Sequence, residues 1–465
     1  MKFTRRRLVE GAVVTALGGV GIDRLVEWLT ASPRRRQGAA PRPRPREQHV
    51  LENARIVVDD GVEVLVPPLH HRVITARLKG APGPEGQQEF ERALAEVEVA
   101  PSPVAVTVAW GTPYFRRFVP AQARREIPVD RRASAAGRRE VRVLEDAERF
   151  PSDPEDTILE HNDLAVLLRG DDPDAVADAH ARLFGELPEL FAVTSVRKGV
   201  AGGGFGGAYS LPKRMVTGAG IPGAELMPAT AELFLGFTST VKRGLGPPKI
   251  ANVETLGYAE LRSGYFVGAT HMHLSHIDED LLAWYLNFDH GERVHAMFRP
   301  GLEVAAKTQT VRQGPHDVRT IPELQNDYAR FRRIGHASAM QSASRLERDV
   351  VAHDGTVYRK GTAVPQRADF NTIDNPFTWS ADPVRDRMKD RPGAGVHFVV
   401  FNPTSDDFRR VRLAMDGVLP DGVRLEFEPR SIGQGLNSVL RTTHRQNFLV
   451  PPRAHRSFPL SELKA

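Results

Sequence analysis

Short runs of hydrophobic residues, bounded by turn-forming residues, predict β-strands early in the chain. Such runs cover residues 62–66, 73–78, 104–110 and 164–168. They contain many β-branched residues and are too short to form helices of ordinary length. The sequence therefore predicts several buried strands before residue 170.

Hydrophobic residues at helical spacing lie between and after these strands. Residues 90–97 have the pattern of a short amphipathic helix. Asp172 and Pro173 match the N-cap and first position of a second helix, whose hydrophobic positions recur over residues 176–184. The first part of the chain is therefore predicted to alternate strands with helices.

The same pattern begins again after a region rich in glycine and proline. Strands are predicted at residues 265–269 and 397–401, and Ser275 with Asp278 resembles a capping box that begins a helix. The pattern predicts two sequential α+β units, each a small sheet covered by helices, that share one interface. We assign residues 1–46 to a leader and linker, 60–198 to the first half, 199–260 to a connector and 261–465 to the second half.

Composition narrows the chemistry that such a fold can carry. The chain has 465 residues, 41% of them hydrophobic, and no cysteine. Disulfides, cysteine nucleophiles and cysteine-ligated metals are therefore excluded. With 16 histidines in the sequence, histidine is the first candidate for a metal ligand.

The positive charge of the chain lies mainly at its start. The net charge is +5, but arginines crowd into residues 1–46 and leave the remainder slightly acidic. We therefore expect no nucleic-acid binding. Residues 4–9 (TRRRLV) match the twin-arginine export pattern, and the apolar stretch 11–22 is too short for a stable membrane span. These features predict export by the twin-arginine machinery to the periplasm or the exterior, with a membrane tether if the leader is not cleaved.

Several segments, in the same order along the chain, resemble the dye-decolorising peroxidase (DyP) family. Residues 104–115 (VAVTVAWGTPYF) resemble its strand followed by a G-x-x-x-F turn, and residues 149–175 resemble its segment with "His-x-Asp-Leu" and "Asp-Asp-Pro". Gly236-Phe237 lies where its G-x-x-D-G motif begins, and the resemblance implies that both residues lie at the cofactor site. Residues 332–336 (RRIGH) and 356–361 (TVYRKG) resemble its proximal-histidine and distal-arginine segments.

The resemblance implies a fold, a cofactor and a reaction. The fold would be two ferredoxin-like halves of the dimeric α+β barrel type, with antiparallel sheets and peripheral helices. The cofactor would be haem b in the second half, and hydrogen peroxide would oxidise a small-molecule reductant. His336 would bind the iron and Arg359 would stabilise charge as peroxide is cleaved. Asp374 and Glu347 are candidate acids beside the histidine.

One motif departs from the family pattern. The distal aspartate of the family would fall at Ser239, and a hydroxyl group cannot exchange protons near neutral pH as a carboxylate does. The segment after Ser239 has no counterpart in the resemblance. A non-catalytic or non-haem descendant of the same fold therefore remains an alternative.

The segment HMHLSH provides a further hypothesis. His271 and His273 would lie on one face of a strand, where an H-x-H pair can chelate a divalent metal or line the haem cavity. A metal-dependent enzyme that uses this pair is a third interpretation. The sequence leaves open the identity of the reductant and whether the chain forms a homo-oligomer.

Overall fold

The computed structural model describes most of the chain from residue 45 onward. The described residues are 45–49, 55–59, 62–99, 104–137, 139–201, 210–231, 233–237, 249–251, 264–302, 320–351, 355, 357–361, 364–373, 392–427 and 430–464. Within these ranges, no helix has the length and apolar character required to cross a membrane.

The described strands and helices follow the mixed pattern that the sequence predicts. The strands are β1 Arg55–Asp59, β2 Val62–Val66, β3 His70–Leu78, β4 Ala105–Gly111, β5 Ile158–Leu159, β6 Leu164–Gly170, β7 Phe191–Val200, β8 Lys249–Ala251, β9 Thr270–Glu279, β10 Val350–Val351, β11 Val357–Tyr358, β12 Gln366–Arg367, β13 Phe370–Thr372, β14 Gly395–Asn402 and β15 Leu440–Val450. The helices are α1 Pro84–Val99, α2 Thr112–Phe118, α3 Pro120–Glu126, α4 Arg131–Gly137, α5 Pro173–His180, α6 Leu211–Gly218, α7 Leu281–Asn287, α8 His290–Met297, α9 Ile321–Phe331, α10 His336–Ala343 and α11 Ser405–Met415.

Two units with the same topology form the fold. In the first, the order β3-α1-β4-β6-α5-β7 gives an antiparallel sheet with the spatial order β7-β3-β6-β4. In the second, β9 pairs with both β14 and β15, and β14 also pairs with β12 and β13. Each unit therefore has the βαββαβ connectivity of a ferredoxin-like domain.

The two sheets close into one barrel. Strand β15 pairs with β4 through Leu449 and Trp110, and β13 pairs with β7 through Asn371 and Val200. Among the described strands, these two seams join the edges of the two halves. The predicted fold class, an α+β protein of two ferredoxin-like halves joined as in a dimeric α+β barrel, is confirmed.

Each strand of the barrel has an inner and an outer face. The inner face contributes a core from both halves that includes Val73, Leu167, Met272, Phe401 and Phe448. The outer face of the first sheet packs against α1 and α5 in a second core. Successive side chains alternate between these two environments because a strand has a side-chain period of two.

The start of the second half differs from the sequence prediction. Residues 265–269 precede the strand, and Ser275 lies within β9 instead of capping a helix. The helix begins at Leu281, where the Asp280 carboxylate accepts a hydrogen bond from the backbone N–H of Ala283 at 2.9 Å. Pairing of β9 on both of its edges extends the strand to Glu279 and overrides the local capping pattern.

Candidate functional site

A cavity of about 240 Å³ lies on the outer face of the second sheet. Its floor is the outward-pointing side chains of β9 and β14, among them Ile277, Glu279, Val396 and Phe398. Helices α10 and α11 contribute side chains to its walls, and so do residues around α8. The wall is mainly apolar, with a small number of ionisable groups, which is the usual composition of a ligand site.

His336 lines this cavity from the first turn of α10. A side chain at the preceding residue, Gly335, would collide with the carbonyl oxygen of Phe298, which accepts a hydrogen bond from the N–H of Ser338 at 3.1 Å. This close approach fixes the start of the helix and so the position of His336. Burial, together with the guanidinium groups of Arg367 and Arg412, lowers the pKa of His336 to about 3. The imidazole is therefore neutral at pH 7, the form that binds metals.

An acidic group faces the same cavity. Glu279 ends β9, and its Oε2 atom is buried without a hydrogen-bond partner among the described residues. Burial and the nearby carboxyl groups of Asp369 and Asp278 raise the pKa of Glu279 to about 8, against an opposing effect of Arg367. A carboxyl group in this environment holds a proton at neutral pH.

Two arginines occupy another part of the wall. Arg445 and Arg412 share the buried carboxylate of Asp153, and Arg412 also donates to Asp416 at 2.7 Å. The Arg445 guanidinium lies 4.7 Å from the ring centre of Phe150. Its Nε and Nη1 atoms are buried and have no hydrogen-bond partner among the described residues, so this cation has two unpaired donors beside the cavity.

Phe237, which the resemblance assigns to the cofactor site, lines the cavity. Its ring packs edge-on against Phe298 at 5.4 Å between ring centres. Gly236 has φ = 82°, and a side chain there would meet the hydroxyl oxygen of Tyr285 at 3.0 Å. A glycine at this position lets the chain turn so that Phe237 reaches the cavity.

Arg359 does not share the cavity with His336. Its side chain is 76% exposed and forms an ion pair with Asp349 at 2.6 Å. A guanidinium in this position cannot act on a molecule in the cavity, so the placement corrects the predicted distal role. Glu347 is also at the surface, 3.7 Å from Arg410 and 74% exposed. Ser239 and Asp374 lie outside the described residues.

His271 and His273 lie on β9 and are fully buried, but neither lines the cavity. The ring of His273 stacks on Phe408 at 3.7 Å and its Nδ1 atom is 2.7 Å from Asn447 Oδ1. Burial lowers the pKa of His271 to about 4. Within the described ranges, no group of three or more His, Asp or Glu side chains could hold a metal ion. The predicted roles of this pair in a metal site or in the cavity wall therefore have no support here.

The residues around the cavity fit a haem. The neutral imidazole of His336 would bind the haem iron through a ring nitrogen, and the apolar wall suits the macrocycle. Arg445 supplies buried N–H donors for a carboxylate. Glu279 and Arg445 were not predicted from the sequence, although the period of two along β9 places Glu279 on the same face as Ser275 and Ile277.

Solved structures that match this chain include DyP-type peroxidases, the family that its segments resemble. The peroxidase from Cellulomonas bogoriensis is 16% identical, with a TM-score of 0.49 over 83% of this chain and 90% of that one. A putative one from Shewanella oneidensis is 13% identical, with a TM-score of 0.47 over 90% and 99%. A DypB variant from Rhodococcus jostii RHA1 in complex with heme is 12% identical, with a TM-score of 0.44 over 84% and 96%.

Sequence comparison places the chain in a family without an assigned activity. No curated protein matches it. The model of a family of unknown function, DUF7405, matches residues 68–452, which is most of the chain. The protein therefore belongs to the DUF7405 family.

Proposed function

We propose that this protein is a haem-dependent, peroxidase-like oxidoreductase that uses hydrogen peroxide to oxidise a small organic reductant. The observation that carries the proposal is the neutral imidazole of His336, which faces an apolar cavity and has no described hydrogen-bond partner. The co-linear segments that resemble the DyP family support it independently.

Each group around the cavity has a defined task in this proposal. His336 would bind the iron through one ring nitrogen, and its low pKa keeps that nitrogen free of a proton across the physiological range. The donors of Arg445 hold a carboxylate of the cofactor. Phe237 and Phe398 exclude water from the macrocycle. A bound haem supplies the electrons that reduce peroxide and later recovers them from the reductant.

Titration of the full chain with haem tests this proposal. We expect the absorption band of bound haem to develop with one equivalent and the His336→Ala variant to lose it. The His161→Ala variant provides a matched control because His161 is an exposed histidine in the first half. The absence of a specific haem band in the unmodified protein, or equal binding by His336→Ala, would contradict the proposal.

We also propose that the protein is exported in its folded state. The support is the twin-arginine pattern at residues 4–9 and the apolar stretch 11–22 that follows it. The double substitution Arg5→Lys with Arg6→Lys should retain the protein in the cytoplasm while folding is unaffected. Fractionation of cells measures this directly, and an unchanged distribution between the fractions would refute export by this route.

A further inference from the structure

Glu279 lies at the end of strand β9, and one of its carboxyl oxygens has no hydrogen-bond partner among the described residues. It is the last residue of β9, where its backbone N–H donates to the carbonyl of Ala394 at 3.0 Å and fixes the end of the strand. Its side chain lies on the outer face and lines the cavity. The Oε2 atom is buried and accepts no hydrogen bond from any described residue.

The neighbours of Glu279 disfavour a negative charge on it. Arg367 favours a negative charge on Glu279, but both oxygens of Asp369 accept from that guanidinium, at 2.9 Å from Nε and 2.8 Å from Nη2. Asp278, the residue before it, points to the other face of β9 and lies 3.8 Å from Arg441. Asp369 and Asp278 therefore disfavour a negative charge on Glu279, and the ion pair between Arg367 and Asp369 weakens the opposing effect of Arg367.

Other ionisable groups face the cavity from the remaining elements. They are His336 and Arg345 on and beside α10, Arg412 on α11 and Arg445 on β15. Arg412 and Arg445 are paired with Asp153 and Asp416, which neutralise them. None of these four groups is among the charges that determine the protonation of Glu279. Glu279 therefore remains a neutral carboxylic acid on a residue that lines the cavity, and its buried Oε2 atom has no hydrogen-bond partner among the described residues.

We propose that Glu279 is the proton donor and acceptor for peroxide in this cavity, a catalytic role that rests on the proposed haem-dependent function. The carboxyl group gives its proton to the departing peroxide oxygen, which leaves as water when the O–O bond breaks. The proton of the other peroxide oxygen then returns to the carboxylate, so Glu279 ends the step as it began. The remaining oxygen leaves as a second water with the two hydrogen atoms of the reductant, so one peroxide and one reductant give two waters and the oxidised reductant. A bound haem would relay the two electrons between them.

Glu279 would supply the carboxyl group that is missing at Ser239. A serine hydroxyl cannot exchange protons near neutral pH, and Arg359 lies at the surface. Glu279 brings a carboxyl group to the site from a different strand and a different part of the sequence. The raised pKa of Glu279, about 8, lies close enough to neutrality for proton transfer in both directions.

Infrared spectroscopy of the haem-free protein tests the protonation state without any activity measurement. We expect a carboxylic-acid carbonyl band at pH 6 that disappears in Glu279→Gln and remains in the control Glu89→Gln, whose side chain is 48% exposed. The Glu279 band should titrate with a midpoint near pH 8. Spectra of Glu279→Gln and unmodified protein that do not differ in this band at pH 6 would overturn the proposal.

A second variant protects the test against misfolding of Glu279→Gln. Asp369→Asn removes one repelling charge and releases Arg367, so the midpoint of the Glu279 band should fall. A midpoint that does not change would show that these neighbours do not control Glu279, contrary to the proposal.

The catalytic part is tested with the haem-loaded protein. The Glu279→Gln variant should react with peroxide at least about tenfold more slowly and lose the pH dependence near pH 8. An unchanged rate and pH profile in a variant that binds haem normally would overturn the role of Glu279 alone. Failure of the unmodified protein to bind haem would instead refute the proposed function, whereas the infrared result would stand.

Discussion

The two sheets have the same strand order, but their outer faces differ, because the first is closely packed and the second borders a cavity with ionisable groups. In the first half, the face is filled by aromatic and aliphatic side chains such as Phe90, Trp110 and Phe191, all with almost no exposure. In the second half, the corresponding face encloses the cavity, with Glu279 and His336 in its wall. One sheet therefore uses its outer face for packing and the other leaves space for a ligand.

This difference shows how a duplicated topology can divide stability and function. Close packing of the first face supplies dispersion contacts and burial of apolar area, which stabilise the barrel as a whole. The second face forgoes some of those contacts and places ionisable groups away from water, which costs free energy. Because the two sheets share two seams, the first can compensate for the second.

The largest expected effect comes from truncation of one phenylalanine packed against the outer face of the first sheet and one on that of the second. Phe90 is fully buried, with ring contacts to Phe191 at 5.0 Å and Phe458 at 5.6 Å. Phe90→Ala should lower the free energy of unfolding by about 3–5 kcal/mol. Phe398→Ala should cost only about 1–2 kcal/mol because this ring already borders a cavity. Denaturant unfolding measures both, and equal losses would remove the distinction between the faces.

The next effect concerns the pH dependence of stability. Glu279 has a usual pKa of 4.5 in the unfolded chain and about 8 in the folded protein. Its contribution is fully present below pH 4.5 and is lost as the pH rises to 8, because the unfolded state ionises first. The stability of Glu279→Gln relative to the unmodified protein should therefore increase by about 2–4 kcal/mol between pH 5 and pH 8.5.

Denaturant unfolding at the two pH values measures this change. Glu89→Gln in the first half should show a constant difference from the unmodified protein, since that side chain is 48% exposed. An equal pH dependence for the two variants would mean that Glu279 ionises normally in the folded state.

Stabilisation of the protein by haem should require His336, because the proposed binding site lies in the second half. Haem at a hundredfold excess over its dissociation constant should stabilise the unmodified protein by about 2.7 kcal/mol. Thermal unfolding with and without haem measures this as a rise in Tm, which His336→Ala should abolish. A rise in Tm that persists in His336→Ala would place the binding site elsewhere.

The smallest effect is expected at Arg359. Its ion pair with Asp349 is largely exposed, so Arg359→Ala should change the free energy of unfolding by less than about 0.5 kcal/mol. Haem affinity should also be unchanged, as measured by absorption titration. A tenfold loss of affinity would show that Arg359 reaches the cavity in the loaded protein.

The strands and helices of the first half were largely predictable from local pattern. Residues 62–66 form β2 as predicted, and Asp172 caps α5 by accepting from the N–H of Asp174 at 3.0 Å. These features depend on residues close in the sequence, so periodicity and capping chemistry are enough to find them. At Ser275 the same reasoning was wrong, because β14 and β15 pair with that segment from both sides.

Local sequence patterns predicted less of the candidate site. The resemblance drew attention to His336 and Phe237, and the structure brings both to one cavity. It also drew attention to Arg359, which the fold leaves in solvent. Glu279 and Arg445 belong to strands far apart in the sequence, and no local pattern indicates that they face the same space.

The sequence by itself determined the alternation of strands and helices and the absence of thiol chemistry, and it made histidine the first candidate for a metal ligand. These follow from residue type and from spacing along the chain, which act over a few residues. The tertiary structure alone decided that two sheets close into a barrel, and that the outer face of the second sheet borders a cavity. Those outcomes depend on pairing and packing between distant segments, and the protonation of Glu279 depends on the same long-range burial.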